Sequence, residues 1–234
     1  MTTKRALLVG MKYNEPKMID THMDCSRFED CIIKYCGFHK SNIYTILDNK
    51  DSNPNATTRD AIVQQLRNLT KITKSRDILL FYYSGHGDLD NLGCPTLRAN
   101  DLKPILGDQL QPIIEKLTTR NAVFTVIADS CHSGGFLKKA YEQIGHSVID
   151  RGVMEPQGTL LSACQIDQTA LSVRGNGSAF THQLIKFIAE ADGKITYWDL
   201  VMKIKEALVR RGAFQIPGLY CTNNEARAQI FEPF

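Results

Sequence analysis

Hydrophobic and polar positions along the chain follow two patterns that alternate with each other. Short runs that are apolar at nearly every position predict strands buried on both faces. Between these runs, apolar residues recur every three or four positions, the spacing that places side chains on one face of a helix. The predicted strands are Arg5–Val9, Asn42–Leu47, Asp77–Tyr83, Ala122–Ala128, Gly158–Ala163 and Leu219–Thr222. The predicted helices are Ile19–Tyr35, one from Thr57 or Thr58 to about Thr70, Gln109–Leu117, Ala179–Ala191 and Thr196–Arg210.

This alternation predicts an α/β fold with the architecture of a three-layer α/β/α sandwich. About six strands form a mostly parallel sheet, and helices cover both of its faces. No internal repeat, low-complexity tract or long linker divides the 234 residues, so we expect a single domain over residues 1–234. The stretch from Phe136 to Pro156 has no clear period, and we expect it to be a loop-like insertion.

Composition and charge exclude several classes of protein. With 43% hydrophobic and 23% charged residues, the chain can bury a large core, which excludes intrinsic disorder. The net charge is only +3 and the basic residues are scattered, so no nucleic-acid partner is expected. No apolar run approaches the ~18 residues of a membrane span, and the amino-terminal apolar run is too short for a signal peptide. We therefore expect no membrane partner and a cytoplasmic location.

The cysteine pattern agrees with a reducing compartment. The chain has seven cysteines, an odd number, and no Cys-x-x-Cys pair. Cys25, Cys31 and Cys36 fall within one predicted helix and lack the spacing of zinc ligands. We therefore expect free and mostly buried thiols.

Two predicted strands end in reactive side chains that glycines flank. His86 lies in Ser84-Gly85-His86-Gly87 after one strand, and Cys131 lies in the segment 129–135 after another. Because chemistry in open parallel sheets takes place beyond the carboxyl ends of the strands, the two residues should face each other if their strands are neighbours. The alternative is that Cys131 is a buried strand-end thiol and His86 is an ordinary turn residue.

A thiol next to an imidazole forms a nucleophile because the reactive species is the thiolate. His86 can accept the thiol proton and later protonate a leaving amine. The backbone N–H groups of Gly87 and Cys131 are candidates for stabilising an oxyanion. His132 competes for the role of base. Neighbouring side chains on an extended backbone point to opposite sides, so we expect His132 to face away from Cys131.

The two glycine-flanked motifs resemble the paired motifs of the caspase-like cysteine peptidases. They are more similar to those of metacaspases and prokaryotic orthocaspases, because Asp129 and Ser130 precede Cys131 where a caspase has Gln-Ala. Weaker similarities are Arg5–Gly10, Ser162-Ala163-Cys164 with Gln168, and Gln215-Ile216-Pro217. The resemblance implies a caspase-like fold and a cysteine endopeptidase with a Cys131–His86 dyad. It also implies a role in a stress, cell-death or defence pathway.

The acids near the nucleophile indicate which substrates the site would accept. Asp129 precedes Cys131 by two residues, so at an extended strand end both side chains lie on the same side. A carboxylate there favours an Arg or Lys side chain over an acidic one. The resemblance adds Asp24 and Ser84 to the same pocket and implies cleavage after Arg, with Lys as the second choice. The alternative for Asp24 is an ordinary first-turn carboxylate, since Thr21 and Met23 depart from the family pattern.

Many metacaspases bind calcium through clustered acids before the cysteine strand. Between Leu97 and Gln109 this chain has only Asp101 and Asp108, and a further family aspartate falls near Lys138. Ca²⁺ takes six to eight oxygen ligands, usually including several carboxylates. We therefore expect no metal and no other cofactor, and we expect Asp101 and Asp108 to be helix caps or solvated acids.

Exposed basic residues near an Arg/Lys-specific site are candidates for self-cleavage. The candidates are Lys138, Lys139, Arg151 and Arg174, and the alternative is that these residues only add surface charge. The expected partners are protein or peptide substrates with Arg or Lys at the cleavage site. The sequence matches a catalytic domain alone, so we expect an activating or inhibitory protein, or self-cleavage, to regulate it. A proteolytically silent adaptor and another thiol hydrolase remain the alternative functions.

Overall fold

A computed structural model describes residues 2–13, 15, 20–49, 53–146, 158–173, 177–222 and 228–232. Its strands are β1 (Lys4–Gly10), β2 (Ile43–Leu47), β3 (Ile78–Ser84), β4 (Gly87–Leu89), β5 (Pro95–Arg98), β6 (Pro104–Leu106), β7 (Val123–Asp129), β8 (Tyr141–Ile144), β9 (Thr159–Ser162), β10 (Ser172–Val173), β11 (Gly177–Ser178) and β12 (Gly218–Cys221). Its α-helices are α1 (Thr21–Cys36), α2 (Arg59–Ile72), α3 (Gly107–Thr118), α4 (Ala179–Glu190) and α5 (Tyr197–Arg210).

The main sheet has seven strands in the order β2-β1-β3-β7-β9-β12-β8. The first five of these are parallel to their neighbours, and β12 runs antiparallel to both β9 and β8. Helices α1, α4 and α5 pack on one face of the sheet and α2 and α3 on the other. The predicted α/β/α sandwich with a mostly parallel sheet is therefore confirmed.

Strand β3 shows why the buried strands are unbroken apolar runs in the sequence. Its side chains alternate between the two cores: Ile78, Leu80 and Tyr82 pack against the α1/α4/α5 layer, and the residues that alternate with them pack against the α2/α3 layer. Ser84 continues the first series, so the same alternation directs it towards α1 and α4. This alternation decides on which face of the sheet the polar residues at the strand end are buried.

Local signals fix the ends of the helices. Gly37 adopts a left-handed φ of 70° at the carboxyl end of α1, where its N–H donates to Ile32 O. Thr58 caps α2, since its side chain accepts from the N–H of Ala61. Gly37 thus caps α1 two residues beyond the predicted end at Tyr35, and of the two predicted starts of α2, Thr57 and Thr58, the second is observed as its cap.

Part of the stretch from Phe136 to Pro156 is not a loop. Tyr141–Ile144 forms β8, which pairs with β12 and extends the main sheet from the predicted six strands to seven. Strand β8 reads Tyr-Glu-Gln-Ile, which is neither an unbroken apolar run nor an alternation of apolar and polar residues. Its backbone partners come from residues about 75 to 80 positions further along the chain. Residues 147–157 of this stretch lie outside the described residues.

Two small β structures were also not predicted. Strands β4, β5 and β6 form an antiparallel sheet between His86 and α3, and β10 pairs with β11 directly before α4. Both consist of strands of four residues or fewer, too short for alternation to reveal them.

No helix in the described part of the chain is long and apolar enough to cross a membrane.

Candidate active site

Two loops meet at the carboxyl ends of β3 and β7. These strands are parallel neighbours with Ser84 opposite Asp129, so His86 and Cys131 each lie two residues beyond a paired position. A Cβ atom on Gly87 would lie 2.1 Å from Cys131 O, which means that the two loop backbones are in direct contact. The register and the glycine thus place the imidazole loop and the thiol loop side by side. The Cys131 side chain is partly exposed.

The backbone of His86 is held at both of its polar groups. Its N–H donates to the hydroxyl of Tyr13 at 3.1 Å, and its carbonyl accepts from the hydroxyl of Tyr83 at 2.8 Å. The same carbonyl accepts from the N–H of Arg98 at 3.0 Å. Burial raises the pKa of both tyrosine hydroxyls, which keeps them protonated at neutral pH.

The imidazole of His86 contacts two side chains from the loop after β1. The Tyr13 ring stacks on it with ring centres 4.8 Å apart, and Glu15 Oε2 lies 3.2 Å from His86 Nε2. A proton on Nε2 that donates to Glu15 leaves Nδ1 as the proton acceptor. Neither contact was predicted from the sequence, because Tyr13 and Glu15 lie about 70 positions from His86 and in no recognised motif.

The ring and the backbone of His132 contact the turn after β9, and the extended backbone on which its predicted orientation was based is not observed. The residue instead adopts a left-handed φ of 55°. Its Nδ1 lies 2.7 Å from Ile166 O, and its N–H donates to Gln168 O at 2.9 Å. The ring therefore anchors the cysteine loop to the turn after β9.

Glutamines brace that turn against the segment before β12. Gln215 Nε2 donates to Ala163 O at 2.7 Å, and Gln215 Oε1 accepts from the N–H of Leu171 at 2.8 Å. Gln168 Oε1 accepts from the N–H of Ile216 at 2.9 Å, and Cys164 Sγ lies 3.3 Å from Ser130 O. Two of the three weaker sequence similarities, around Cys164 and Gln168 and at Gln215, thus fall on residues that connect the cysteine loop, the turn after β9 and the segment before β12.

The three residues predicted for the substrate pocket lie together on the α1/α4 face of the sheet. Ser84 Oγ is 3.5 Å from Asp24 Oδ2, and Asp129 lies opposite Ser84 in the β3–β7 register. Thr181, in the first turn of α4, donates to Asp129 Oδ2 at 2.5 Å. Ser178 N–H donates to both oxygens of Asp24, at 3.0 and 3.2 Å. Thr181 and Ser178 belong to no sequence signal that was recognised.

The two carboxyl groups lie in an environment that disfavours their charge. Burial, and then the neighbouring Asp129, raise the pKa of Asp24 to about 8. Burial also raises the pKa of Asp129, although hydrogen bonds from Ser178 and Thr181 oppose the effect. A cation that entered beside the pair would therefore stabilise its ionised form.

A cleft of about 310 Å³ lies between α1 and α4, and Asp24 is one of its lining residues. Its walls also include Arg27 and Lys186, whose charge would repel a guanidinium group. This cleft therefore does not fit as the entrance for a basic substrate side chain.

The acids considered for calcium have other roles in the fold. Asp101 Oδ1 accepts from the N–H of Arg59 at the start of α2, and its other oxygen lies 3.6 Å from Lys103 Nζ. Asp108 lies in the first turn of α3. Among the described residues, no group of three or more His, Cys, Asp or Glu side chains is arranged to hold a metal ion. Asp101 and Asp108 thus belong to no metal-binding cluster in the described part of the chain, and the expectation that the protein needs no calcium stays a prediction.

The basic residues considered for self-cleavage differ in their surroundings. Lys138 Nζ lies 3.3 Å from Cys94 Sγ, and Lys139 lies 3.6 Å from Glu115 with 64% of its side chain exposed. Arg151 and Arg174 lie outside the described residues. All seven cysteines are free, and all but Cys94 and Cys131 are buried.

The structure combines a mostly parallel sheet with a histidine and a cysteine just beyond the ends of two adjacent strands. This is the arrangement that the resemblance of the two motifs implied. The chain matches the Caspase domain family over residues 3–229. It therefore belongs to the caspase domain family.

Curated relatives within this family are metacaspases. The chain is 34% identical to Metacaspase-7 of Arabidopsis thaliana over 62% of this chain and 38% of that protein. It is 31% identical to Metacaspase-4 of the same plant, over 62% of this chain and 37% of that protein. The matched region thus spans less than half the length of these two relatives. Metacaspase-9 of the same plant is 24% identical over 97% of both chains.

Solved structures share the fold. A Geobacter sulfurreducens protein superimposes with a TM-score of 0.69 over 99% of both chains, at 18% identity. Caspase-1 from Spodoptera frugiperda superimposes with a TM-score of 0.66 over 94% of this chain and 87% of that chain, at 12% identity.

Proposed function

We propose that this protein is a cysteine endopeptidase that cleaves peptide bonds after Arg, and less readily after Lys, with Cys131 as nucleophile and His86 as general base and acid. The observation that carries the proposal is the contact of the two loops at neighbouring strand ends, beside a buried pair of carboxyl groups. Family membership and the similarity to metacaspases support the peptidase class.

The reaction uses groups that the two loops carry. His86 takes the proton from the Cys131 thiol, and the thiolate attacks the carbonyl carbon of the scissile bond. The N–H groups of Gly87 and Cys131 stabilise the oxyanion that forms. The imidazolium then gives its proton to the departing amine as the C–N bond breaks. Water, deprotonated by His86, hydrolyses the remaining thioester and restores the thiol.

The carboxyl pair selects the residue before the scissile bond. A guanidinium group that enters beside Asp24 and Asp129 favours their ionised forms and donates bidentate hydrogen bonds to the carboxylate oxygens. An acidic side chain would add a third negative charge to a buried site that already disfavours two. Of the two described candidates for self-cleavage, Lys139 is better placed than Lys138. Its side chain is more exposed, and its ammonium group forms only a weak ion pair with Glu115.

Matched fluorogenic peptides that end in Arg, Lys or Asp test the proposal. We expect wild-type protein to cleave the Arg peptide and Cys131→Ala to be inactive. His132→Ala should keep part of the activity, because it loses the ring contact with Ile166 but keeps the backbone N–H that donates to Gln168 O. A chelator should leave the rate unchanged, because Asp101 is engaged by the amino end of α2 and by Lys103.

The outcomes separate the alternatives. Activity that persists in Cys131→Ala, or a preference for the Asp peptide, would contradict the assignment. A silent wild-type protein whose Cys131 is not labelled selectively by a thiol reagent would instead favour a non-catalytic adaptor. Strong inhibition by the chelator would point to a metal requirement that Asp101 and Asp108 do not explain.

A further inference from the structure

A second cleft lies on the opposite side of the candidate dyad from the carboxyl pair. It has a volume of about 510 Å³ and follows the small sheet β4-β5-β6. This sheet packs on the α2/α3 layer through Leu97 and Ile105, whereas Asp24 and Thr181 lie on the α1/α4 face. The two clefts are thus separated by the main sheet. The lining residues are Asp88, Leu89, Asp90, Thr96, Arg98, Leu102 and Pro104.

The cleft is continuous with the catalytic loops. Strand β4 begins at Gly87, the residue after His86, and Gly87 contacts the backbone of Cys131. The N–H of Arg98, which lines the cleft, donates to the carbonyl of His86. A peptide bound across Cys131 and His86 that continues past His86 therefore runs onto this sheet.

The charged groups at the cleft bind one another. The guanidinium of Arg98 forms an ion pair with Asp88, and Asp90 Oδ1 accepts from the N–H groups of Leu92 and Cys94, at 2.9 and 2.8 Å. Each charge is thus already engaged within the small sheet and its turn. The aliphatic side chains of the lining are therefore the part of this surface that no partner within the small sheet engages through charge.

Aliphatic side chains remain exposed on this surface. Leu89 is 43% exposed and Leu102 is 67% exposed, and Pro104 lies beside them in the same cleft. Leu102 adopts a left-handed φ of 60° in the turn between β5 and β6, a costly conformation for leucine that presents its side chain at the mouth of the cleft. Covering these groups with an apolar ligand removes them from water.

We propose that this cleft binds the substrate residues that follow the scissile bond and selects an aliphatic side chain among them. The inference rests on the proposed function, because the amine that leaves must lie next to His86 to receive its proton. The chain beyond that amine then passes over Gly87 onto β4. The carboxyl pair recognises the residue before the cut, and the small sheet recognises the residues after it.

Two kinds of substrate separate this cleft from the catalytic centre. A peptide that ends in Arg-coumarin has no residues after the cut, whereas internally quenched peptides extend past it with Leu, Gly or Asp. Leu102→Lys should lower kcat/KM for the Leu-extended peptide about tenfold and leave the coumarin substrate unchanged. Leu92→Lys is the matched control, because Leu92 is 88% exposed and does not line the cleft.

Each other result decides against the inference. Equal loss on both kinds of substrate would mean that Leu102 supports the fold, and an equal effect of Leu92→Lys would mean that only charge matters. Coumarin turnover by wild type without preference among the extended peptides would overturn this inference alone. No turnover of any substrate would overturn the proposed function and this inference with it.

Discussion

At the scale of single residues, the imidazole of His86 is held more firmly than a two-residue dyad requires. Tyr13 fixes its backbone N–H and stacks on its ring, and Glu15 lies against Nε2. Glu15 does not touch the reacting atoms in the proposed reaction, so it acts as a positioning residue. Its carboxylate orients the ring and stabilises the imidazolium that forms when Cys131 is deprotonated.

Replacing Glu15 by Gln should therefore lower kcat about twofold to fivefold and leave KM nearly unchanged. The effect is limited because Glu15 is 53% exposed, and exposed ion pairs contribute at most about 1 kcal/mol. Steady-state kinetics on the Arg peptide measure both parameters, and Glu15→Asp should recover part of the loss. Glu206→Gln is the control, since Glu206 forms an exposed ion pair with Arg210 on α5. A rise in KM without a change in kcat would contradict the positioning role.

At the scale of secondary structure, the sequence predicted every strand of the main sheet except β8 and missed the short strands that pair outside this sheet. Strands β3 and β7 are apolar at almost every position because both faces are covered, and this pattern is visible locally. Strand β8 and the sheet β4-β5-β6 are held mainly by backbone pairing between short segments, which side-chain patterns do not record. The same limit applies to the site. Glycine-flanked His86 and Cys131 were recognisable, but the contacts of Tyr13, Glu15 and Thr181 arise only when the chain folds.

The short hairpin β10–β11 shows how such an element contributes to the site. Gly177 has a φ of 76°, and a Cβ at this position would lie 2.0 Å from Asp24 Oδ1. Only a residue without a side chain allows the N–H of Ser178 to reach the Asp24 carboxyl group. The hairpin therefore covers one side of the carboxyl pair.

Substituting Ala for Gly177 should destabilise the fold more than the same change at Gly212. Gly212 has a similar φ of 70°, but a Cβ added there would have no atom within 4 Å, so Gly212→Ala reports the backbone cost alone, about 1 kcal/mol. Gly177→Ala adds the collision with Asp24, and we expect at least about 1 kcal/mol more. Urea denaturation of both variants measures the difference. Equal midpoints would mean that the hairpin does not press on Asp24.

At the scale of the whole molecule, the two carboxyl groups that we propose to bind the substrate, Asp24 and Asp129, oppose the stability of the fold. Burial and mutual repulsion keep Asp24 protonated in the folded protein up to about pH 8, whereas an unfolded aspartate releases its proton near pH 4. Between these values the folded state holds more protons than the unfolded state. The contribution of Asp24 to the free energy of unfolding is therefore largest below about pH 4 and decreases as the pH rises to about 8.

Replacing Asp24 by Asn should remove this dependence, because the amide keeps the shape of the protonated acid and carries no charge. Relative to wild type, we expect Asp24→Asn to gain about 1 to 3 kcal/mol in the free energy of unfolding at pH 8 and little at pH 4, up to a limit of about 1.4 kcal/mol per pH unit. Urea unfolding at several pH values measures the difference. Asp30→Asn, on the exposed side of the same helix, is the control and should show no such trend.

The same variant connects the stability of the molecule with its proposed specificity. Binding of an Arg side chain requires ionised carboxylates, so wild-type protein should bind a peptide with a terminal Arg aldehyde more tightly as the pH rises from about 6 to about 8. Asp24→Asn should be more stable than wild type yet bind this inhibitor more weakly. Such a trade-off between stability and binding is expected when a binding site uses groups that lower the free energy of unfolding. A variant that is stabilised but retains the full pH dependence of inhibitor binding would show that Asp24 is buried for another purpose. In that case Asp129 alone would remain as the acid that recognises Arg.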